Sequence, residues 1–357
     1  MKGRSPRVFG NRTGLARRLA LATLTVAAAI FVGLGLLEGL TRLLFPAFDP
    51  SGRFEFRYPA GSLTLGQPGT HTRQAKNTGD YDVAVRINRH GLRDDKDIAE
   101  ATAGDLVVVG DSFAWGWGVE APDRFSERLQ VLTGRRAYNL ATPTDLAGYA
   151  ALLDYAQSLG ARIGQVVLAV CLENDLGPYD GGEERTEDRT QGPGWKQWLT
   201  ERSATYLLLT TVIHQTPRLK ALAVGVGAIV PNLEGMARNV YDPAVIDASA
   251  DMLQALATRY RLLVLLIPSR ALWIGDSRAT EDRIHQALVA ALIGRGVAVL
   301  DLRPPLEAGG TPLVYHFAND GHWNARGHRL AAEAIAMCLA DGICLHNAGT
   351  PTGSTTR

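Results

Sequence analysis

Residues 106–112, Leu-Val-Val-Val-Gly-Asp-Ser, carry the clearest fold signal in the chain, because a short, fully apolar run ends there in a polar turn. Continuous apolar runs of this length are typical of strands buried on both faces, as in parallel sheets covered by helices. Comparable runs follow at 137–140, 165–170, 262–267 and 297–302, and stretches with helical periodicity lie between them. The alternation predicts a three-layer α/β/α sandwich around a mainly parallel, five-stranded sheet.

The N-terminal region combines a basic segment with a long apolar run. Six Lys and Arg residues and no acidic residue fall within 1–18, and 19–37 carries no charge. A helix of about 20 apolar residues spans a bilayer, whereas a signal-peptide core has about 7–15 residues and ends at a small-residue cleavage site. A cleaved signal peptide and a buried core helix remain alternatives. The length of the run, and the absence of an Ala-x-Ala site after it, favour an uncleaved transmembrane signal anchor over 19–45.

This anchor sets the predicted domain organisation. By the positive-inside rule, residues 1–18 stay in the cytoplasm, and the chain beyond the cytoplasmic (inner) membrane faces the periplasm or the cell exterior. Residues 46–82, rich in Gly, Pro, Ser and Thr, are predicted to form a stalk or arm. A catalytic domain follows over 83–345, with an insertion at about 176–240 that we interpret as a lid or a substrate-facing surface. The tail 346–357 is predicted to be disordered.

Composition argues against some functions and leaves others open. Lys and Arg number 37 against 36 Asp and Glu, so the overall charge does not favour a nucleic-acid partner. The eight His are scattered along the chain, and we predict neither a metal site nor a cofactor. Cys338 and Cys344 are close in sequence and could form a disulfide in an oxidising compartment. Cys171 ends an apolar run and is predicted to be a buried, unreactive side chain.

Side chains with catalytic potential follow the predicted strands, where ligands bind in parallel sheets. Ser112 directly follows the first strand, a position where a hydroxyl can act as a nucleophile and a backbone N–H can stabilise an oxyanion. Asn174 follows the strand at 165–170, and its amide suits the same oxyanion. Asp320 and His322 precede the last predicted helix and form a pair suited to general base catalysis. Taken singly, each is better explained as a cap, turn or loop residue; together they favour a catalytic site.

In their order along the chain and in the sequence around them, these residues resemble the sequence blocks of the SGNH/GDSL hydrolases. The stretch GDSFAWGWGV at 110–119 is similar to the first block, ENDL at 173–176 to the third, and DGHWNARGHRLAAEAI at 320–335 to the last. The resemblance implies an SGNH-like, flavodoxin-like fold and a serine nucleophile activated by a His–Asp pair. It assigns Ser112, Asp320 and His322 to a catalytic triad. It also assigns an oxyanion hole to Ser112, Ala141 and Asn174.

Other positions refine this resemblance. The stretches VRINRHGLRDD at 85–95 and IPS at 267–269 are similar to membrane-anchored bacterial SGNH proteins linked to polysaccharide acylation. Ala141 stands where the second block usually has Gly, although its backbone N–H can still donate. Asp320 precedes His322 by two positions, as in alginate-type acetyltransferases, whereas most esterases of the class separate the two by three.

The resemblance implies an enzyme that acts on ester bonds without a cofactor. Its first interpretation is a serine-dependent hydrolase of an extracytoplasmic ester, in particular an acylated carbohydrate. The alternative is an O-acyltransferase that modifies an exported polysaccharide, because the Asp-x-His spacing fits that chemistry. A third alternative, of another class, is a catalytically inactive polysaccharide-binding domain. In each case the chain contacts a membrane through its N-terminal helix.

Overall fold

The computed structural model describes residues 12–50, 54, 56–60, 63–177, 194–231, 235 and 237–341. The chain divides into two compact units, Met1–Ser51 with Asp188–Ile213 and Gly52–Glu187 with His214–Arg357. The first unit contains the long N-terminal helix. The second contains the central sheet and all the candidate catalytic residues.

Short strands come first after the N-terminal helix, and from residue 106 onwards strands alternate with helices. The strands are β1 (Phe56–Ala60), β2 (Leu63–Gly66), β3 (His71–Ala75), β4 (Asp82–Arg86), β5 (Leu106–Val109), β6 (Ala137–Asn139), β7 (Gln165–Cys171), β8 (Arg261–Ile267) and β9 (Val299–Asp301). The helices are α1 (Arg12–Leu44), α2 (Ser112–Trp115), α3 (Phe125–Thr133), α4 (Leu146–Ser158), α5 (Gly194–Arg202), α6 (Ala204–Gln215), α7 (Pro217–Gly225), α8 (Pro243–Arg259), α9 (Arg278–Gly294), α10 (Arg303–Ala308) and α11 (Ala325–Asp341).

Helix α1 is the longest element of the first unit. Its segment Ala16–Leu44 is long and apolar enough to cross a membrane, with a mean hydropathy of 2.3. The side chains from Ala16 to Leu37 are all exposed, whereas a core helix buries an apolar face against the rest of the protein. By length, composition and exposure, α1 is a candidate membrane span and not a core helix.

Two β-hairpins precede the central sheet. Strand β1 pairs antiparallel with β2, and β3 pairs antiparallel with β4. Leu63 and Leu65 of β2 are buried in one core cluster, and Val85 of β4 is buried in the other. Alternate residues of a half-buried strand face inwards, which accounts for this pattern. Part of the segment 46–82, predicted as a stalk or arm, is therefore β structure packed within the second unit.

The central sheet has five strands in the order β6-β5-β7-β8-β9. All of its pairings are parallel, which confirms the predicted α/β fold with a five-stranded parallel sheet. The chain runs from β5 to β6 on one side and then returns to β7 on the other side of β5. In doubly wound sheets, ligands bind at the carboxyl ends of the strands, at the point where the order reverses. That point lies between β5 and β7.

Helices cover both faces of the sheet, as a three-layer sandwich requires. On one face, α4 and α9 bury Leu152 and Leu288 in a core cluster with the sheet. On the other face, α11 buries Ala331, Ile335 and Cys338. These three positions in α11 recur at the spacing of one helix face, so the sequence pattern alone orients this helix.

Some predictions concern residues outside the described ranges. Within the insertion predicted at 176–240, the described stretch 194–231 contains α5, α6 and α7. Cys344 and the tail 346–357 lie outside the described residues. The disulfide between Cys338 and Cys344 and the disorder of the tail therefore stay predictions.

Candidate active site

The chain turns sharply after β5 and presents Ser112 at the carboxyl end of the sheet. A Cβ atom at Gly110 would lie 2.8 Å from the Cβ of Ala114 and 2.9 Å from the Cβ of Ala169, so the turn needs Gly to approach β7 this closely. Asp111 caps α2, and its Oδ1 accepts a hydrogen bond from the N–H of Phe113 at 2.9 Å. Because Asp111 is the cap, the hydroxyl of Ser112 is left for another partner.

A closed loop positions the second half of the site. The backbone N–H of Phe317 donates to the carbonyl of His322 at 3.0 Å, which closes the loop around Asp320. Asn324 Nδ2 donates to the carbonyl of His316 at 2.8 Å, and Asn324 Oδ1 caps the start of α11. This cap also serves the site, because Asn324 ties the loop to a packed helix.

The two halves bring Ser112, His322 and Asp320 into one hydrogen-bonded series. Ser112 Oγ lies 2.7 Å from His322 Nε2, and His322 Nδ1 lies 2.5 Å from Asp320 Oδ1. The same oxygen of Asp320 accepts a hydrogen bond from the backbone N–H of His322 at 3.0 Å. In this arrangement the imidazole can take the hydroxyl proton, while the carboxylate orients the ring and stabilises the imidazolium. The geometry is that of a Ser–His–Asp triad.

The other oxygen of Asp320 has its own partners. Asp320 Oδ2 lies 2.9 Å from Lys76 Nζ, and the hydroxyl of Tyr81 donates to it at 3.4 Å. Burial opposes ionisation of Asp320, but its hydrogen bonds from His322 and the charge of Lys76 outweigh burial and hold the pKa of Asp320 well below its usual range. Asp320 is therefore a carboxylate at neutral pH. Sequence reasoning missed Lys76 and Tyr81, which lie between β3 and β4 and belong to no motif.

Aromatic side chains enclose the imidazole. The ring of Trp117 stacks on His322 with centroids 5.4 Å apart and planes 22° apart, and the ring of Phe113 lies 5.2 Å away. Trp117 Nε1 also donates to the hydroxyl of Tyr81 at 2.6 Å. Stacking of this kind restricts rotation of the imidazole and keeps Nε2 directed at Ser112. Trp117 lies in the first sequence block, but the motif did not reveal that it packs on His322.

Two of the three predicted oxyanion donors are available at the site. The backbone N–H of Ser112 makes no hydrogen bond to another described residue. Asn174 is exposed at the end of β7, and its Nδ2 donates to Asp111 Oδ2 at 3.1 Å. An amide nitrogen carries two hydrogens, so one remains for a substrate oxygen. Asp111 therefore does two things: it caps α2 and it orients the amide of Asn174.

Ala141, the third predicted donor, is engaged elsewhere. Its backbone N–H donates to Asn139 Oδ1 at 3.0 Å, while Asn139 Nδ2 donates to the carbonyl of Ala114 at 2.8 Å. Asn side chains commonly accept a hydrogen bond from the N–H two residues later in a turn. The structure thus differs from the expectation at this position, because the local turn consumes the N–H that the oxyanion would need.

The other reactive side chains named from the sequence stand apart from this chemistry. Cys171 is buried at the end of β7, and burial raises the pKa of its thiol, as is typical of an unreactive cysteine. Within the part of the chain that the structure describes, no group of three or more His, Cys, Asp or Glu is placed to hold a metal ion.

A family comparison agrees with the fold. Residues 242–356 match the family described as "SGNH hydrolase-like domain, acetyltransferase AlgX". The matched segment includes Asp320 and His322 but not Ser112 or Asn174. Together with the parallel sheet and the geometry of Ser112, His322 and Asp320, the match supports an SGNH hydrolase-like domain that acts on ester bonds.

Several solved structures are similar at low identity. An α/β hydrolase enzyme from the metagenome of Lake Arreo, Spain, is 14% identical, with 70% of this chain and 100% of that chain covered and a TM-score of 0.37. A member of the lipolytic G-D-S-L family from Veillonella parvula DSM 2008 is 11% identical, with 66% and 98% covered and a TM-score of 0.41. An acetylxylan esterase from Geobacillus stearothermophilus is 12% identical, with 66% and 94% covered and a TM-score of 0.36. Similarities this low assign no substrate to the chain. No curated protein matches it significantly.

Proposed function

We propose that the chain removes an acyl group, in particular acetyl, from an acylated carbohydrate outside the cytoplasm, through an acyl-serine intermediate. The observation that carries the proposal is the series Ser112–His322–Asp320, in which a hydroxyl, an imidazole and a carboxylate are joined at 2.7 and 2.5 Å. The match of residues 242–356 to a family described as an acetyltransferase supports acetyl as the transferred group.

The first half-reaction transfers the acyl group to the enzyme. His322 Nε2 removes the proton from Ser112 Oγ while this oxygen attacks the ester carbonyl. The N–H of Ser112 and the amide of Asn174 donate to the resulting oxyanion, and Asp320 stabilises the imidazolium. The imidazolium then gives its proton to the departing alkoxide, so the carbohydrate leaves as an alcohol and acyl-Ser112 remains.

The second half-reaction uses the same groups in the reverse direction. His322 takes a proton from the acceptor, whose oxygen attacks the acyl carbonyl at Ser112. The tetrahedral intermediate collapses, and Ser112 Oγ leaves with the proton that the imidazolium returns. With water as the acceptor the product is a free carboxylic acid. With a sugar hydroxyl as the acceptor the product is a new ester.

Hydrolysis is the first candidate, and transfer to a polysaccharide hydroxyl is the second. Two observations favour the second: the family description, and the two-residue spacing between Asp320 and His322 that alginate-type acetyltransferases share. An inactive polysaccharide-binding domain does not account for a buried, ionised Asp320 beside His322, because a buried charge is costly unless it is paired and hydrogen-bonded.

We place the catalytic unit outside the cytoplasm. The exposed apolar segment of α1 and the basic residues of 1–18 support a signal anchor whose N-terminus stays inside. A reporter that is active only after export, fused after Pro46, should be active, and the full chain should remain with membranes after a carbonate wash. A shortened protein recovered free from the periplasm would show instead that the segment is a cleaved signal peptide.

The triad is tested by deleting one oxygen. Ser112→Ala should abolish hydrolysis of an aryl acetate and labelling by a fluorophosphonate probe, whereas Ser158→Ala, at an exposed serine on α4, should keep both. His322→Ala should cost about as much as Ser112→Ala, because members of a triad act as a unit. A folded Ser112→Ala protein that hydrolyses the ester at the wild-type rate would refute the proposed nucleophile.

The acceptor is tested by adding oligosaccharides to the same reaction. A hydrolase releases acetate at a rate that the oligosaccharide does not change. A transferase forms an acetylated oligosaccharide, detected by mass spectrometry, and its release of free acetate falls in proportion. The Ser112→Ala variant is the matched control, since it should form neither product.

A further inference from the structure

Charge and exposure change together near the end of α1. The uncharged residues 19–37 extend about 29 Å as a helix, close to the thickness of the hydrocarbon core of a bilayer. Glu38 and Arg42 follow this run, and Thr41 is the first buried side chain among the described residues of α1. In a membrane-spanning α1, as proposed above, these three residues lie at the level of the lipid headgroups.

The end of α1 holds the start of α6. Glu38 accepts hydrogen bonds from the backbone N–H groups of Ala204 at 2.8 Å and Thr205 at 3.0 Å. It therefore caps α6 from another helix, since the first N–H groups of a helix have no partner within it. Arg42 Nη2 donates to the carbonyl of Arg202, the last residue of α5, at 2.7 Å. These hydrogen bonds fix the junction between α5 and α6 at the outer end of α1.

Helix α5 exposes two tryptophans beside two basic residues. Trp195 is 58% exposed and Trp198 is 54% exposed. Their spacing of three residues places them on the same side of the helix. Lys196 Nζ lies 5.6 Å from the Trp195 ring, and the Arg202 guanidinium lies 5.7 Å from the Trp198 ring. Exposed indoles next to Lys and Arg are typical of the membrane–water interface, where the ring meets acyl chains and the cation meets phosphate.

We propose that α5 lies in the headgroup layer of the membrane that α1 crosses, with Trp195 and Trp198 inserted towards the acyl chains and Lys196 and Arg202 paired with lipid phosphates. The partner is a phospholipid surface rich in anionic lipid. Continuity with α1 selects lipid over a second protein, because the α5–α6 junction is bonded to the residues that leave the bilayer. The inference rests on the proposed anchor but not on the ester chemistry. This part of the insertion is then a membrane-binding element and not a lid.

Quenching of tryptophan fluorescence tests this placement. Full-length protein is reconstituted in vesicles of phosphatidylethanolamine and phosphatidylglycerol, with or without bromine atoms on the upper part of the acyl chains. Wild type is compared with the Trp195→Phe/Trp198→Phe double variant and with Trp273→Phe, a control in the catalytic unit whose indole donates to Glu307. We expect brominated lipid to quench wild type and Trp273→Phe to similar extents. In the double variant, brominated lipid should quench the fluorescence at most about half as strongly as in wild type, because the two interfacial indoles are gone.

Each alternative outcome has its own signature. Protein that does not float with the vesicles refutes the anchor and this inference together, while aryl-ester hydrolysis in the same sample reports separately on the proposed chemistry. Floating protein whose wild-type and double-variant forms are quenched equally overturns the placement of α5. If a second copy of the chain covers the tryptophans, a Trp198→Cys variant forms a disulfide-linked dimer and brominated lipid has no effect, which also overturns it.

Discussion

Replacing Asn174 by Ala is expected to slow the reaction strongly without preventing folding. In the proposed mechanism, Asn174 Nδ2 is one of two oxyanion donors, together with the N–H of Ser112, because Ala141 donates to Asn139. Loss of a single donor from an oxyanion hole typically costs about 2.7–4 kcal/mol, or about 10²–10³-fold in kcat. With two such donors among the described residues, we expect a loss at the upper end of this range, on the order of 10³-fold.

The same substitution should also cost stability. Asp111 is buried, and Asn174 is the donor to its Oδ2. Removing the donor leaves a buried acceptor unpaired, which typically destabilises a protein by about 1–3 kcal/mol. Burial already raises the pKa of Asp111, and the hydrogen bond from Asn174 counteracts that rise. The pKa of Asp111 should therefore rise further in Asn174→Ala.

Steady-state kinetics and chemical denaturation of the full chain in detergent measure the two effects. Asp111→Asn is the matched variant, because it leaves the amide of Asn174 in place. In Asp111, Oδ2 orients the amide of Asn174 and Oδ1 caps α2, and the substitution removes one of these two acceptors. We expect it to lower kcat less than Asn174→Ala, with KM nearly unchanged in both. A loss below about tenfold in Asn174→Ala would refute the assignment of this amide as a main oxyanion donor.

Lys76→Met should lower kcat about 2–5-fold, because the ammonium holds the second oxygen of Asp320 and a partly exposed ion pair contributes on this scale. Lys76→Arg should recover most of the rate. Equal rates in Lys76→Met and wild type would contradict the positioning role of Lys76. Burial, with the nearby charge of Arg124, lowers the pKa of His328 to about 3. Because unfolded chains protonate this ring first, stability should fall as the pH drops from about 6.5 towards 3, by about 2–3 kcal/mol at about pH 4.5 for this group. Urea unfolding of His328→Phe should show a weaker acid dependence than wild type, and an identical dependence would count against it. If Cys338 and Cys344 are bridged, thiol labelling of the denatured, unreduced protein should modify only Cys171. Labelling at all three cysteines would show that the predicted disulfide is not formed.

Much of the fold and part of the site could be predicted from local sequence. The apolar run at 106–109 corresponds to β5, and the run at 165–170 lies within β7, because a strand buried on both faces leaves a pattern that needs no knowledge of its partners. Ser112 and Asn174 lie shortly after the ends of β5 and β7 in the chain, and parallel strands end at the same edge of a sheet. Their proximity therefore required only that the predicted strands be neighbours, which β5 and β7 are.

Other hydrogen-bond partners in the site could not be predicted from local sequence. Those of Asp320 lie in distant parts of the chain. Tyr81 reaches Asp320 across 239 positions, and Lys76 joins it from the same hairpin, yet neither residue lies in a recognisable motif. A hairpin next to the sheet could pack in many ways, and only side-chain packing brings this one to the triad. The N–H of Ala141 was lost to Asn139 for a different reason, since a turn can satisfy its own donors without any trace in the residue types.

The N-terminal helix shows both situations in one element. Its apolar composition and basic flank were sufficient to predict a membrane span, because partition into a bilayer depends on the length and polarity of the segment alone. The pairing of Glu38 with the start of α6, 166 positions away, could not be inferred, because an isolated acidic residue after an apolar run looks like any residue at a membrane boundary. Its role emerges only when folding places unpaired N–H groups beside it.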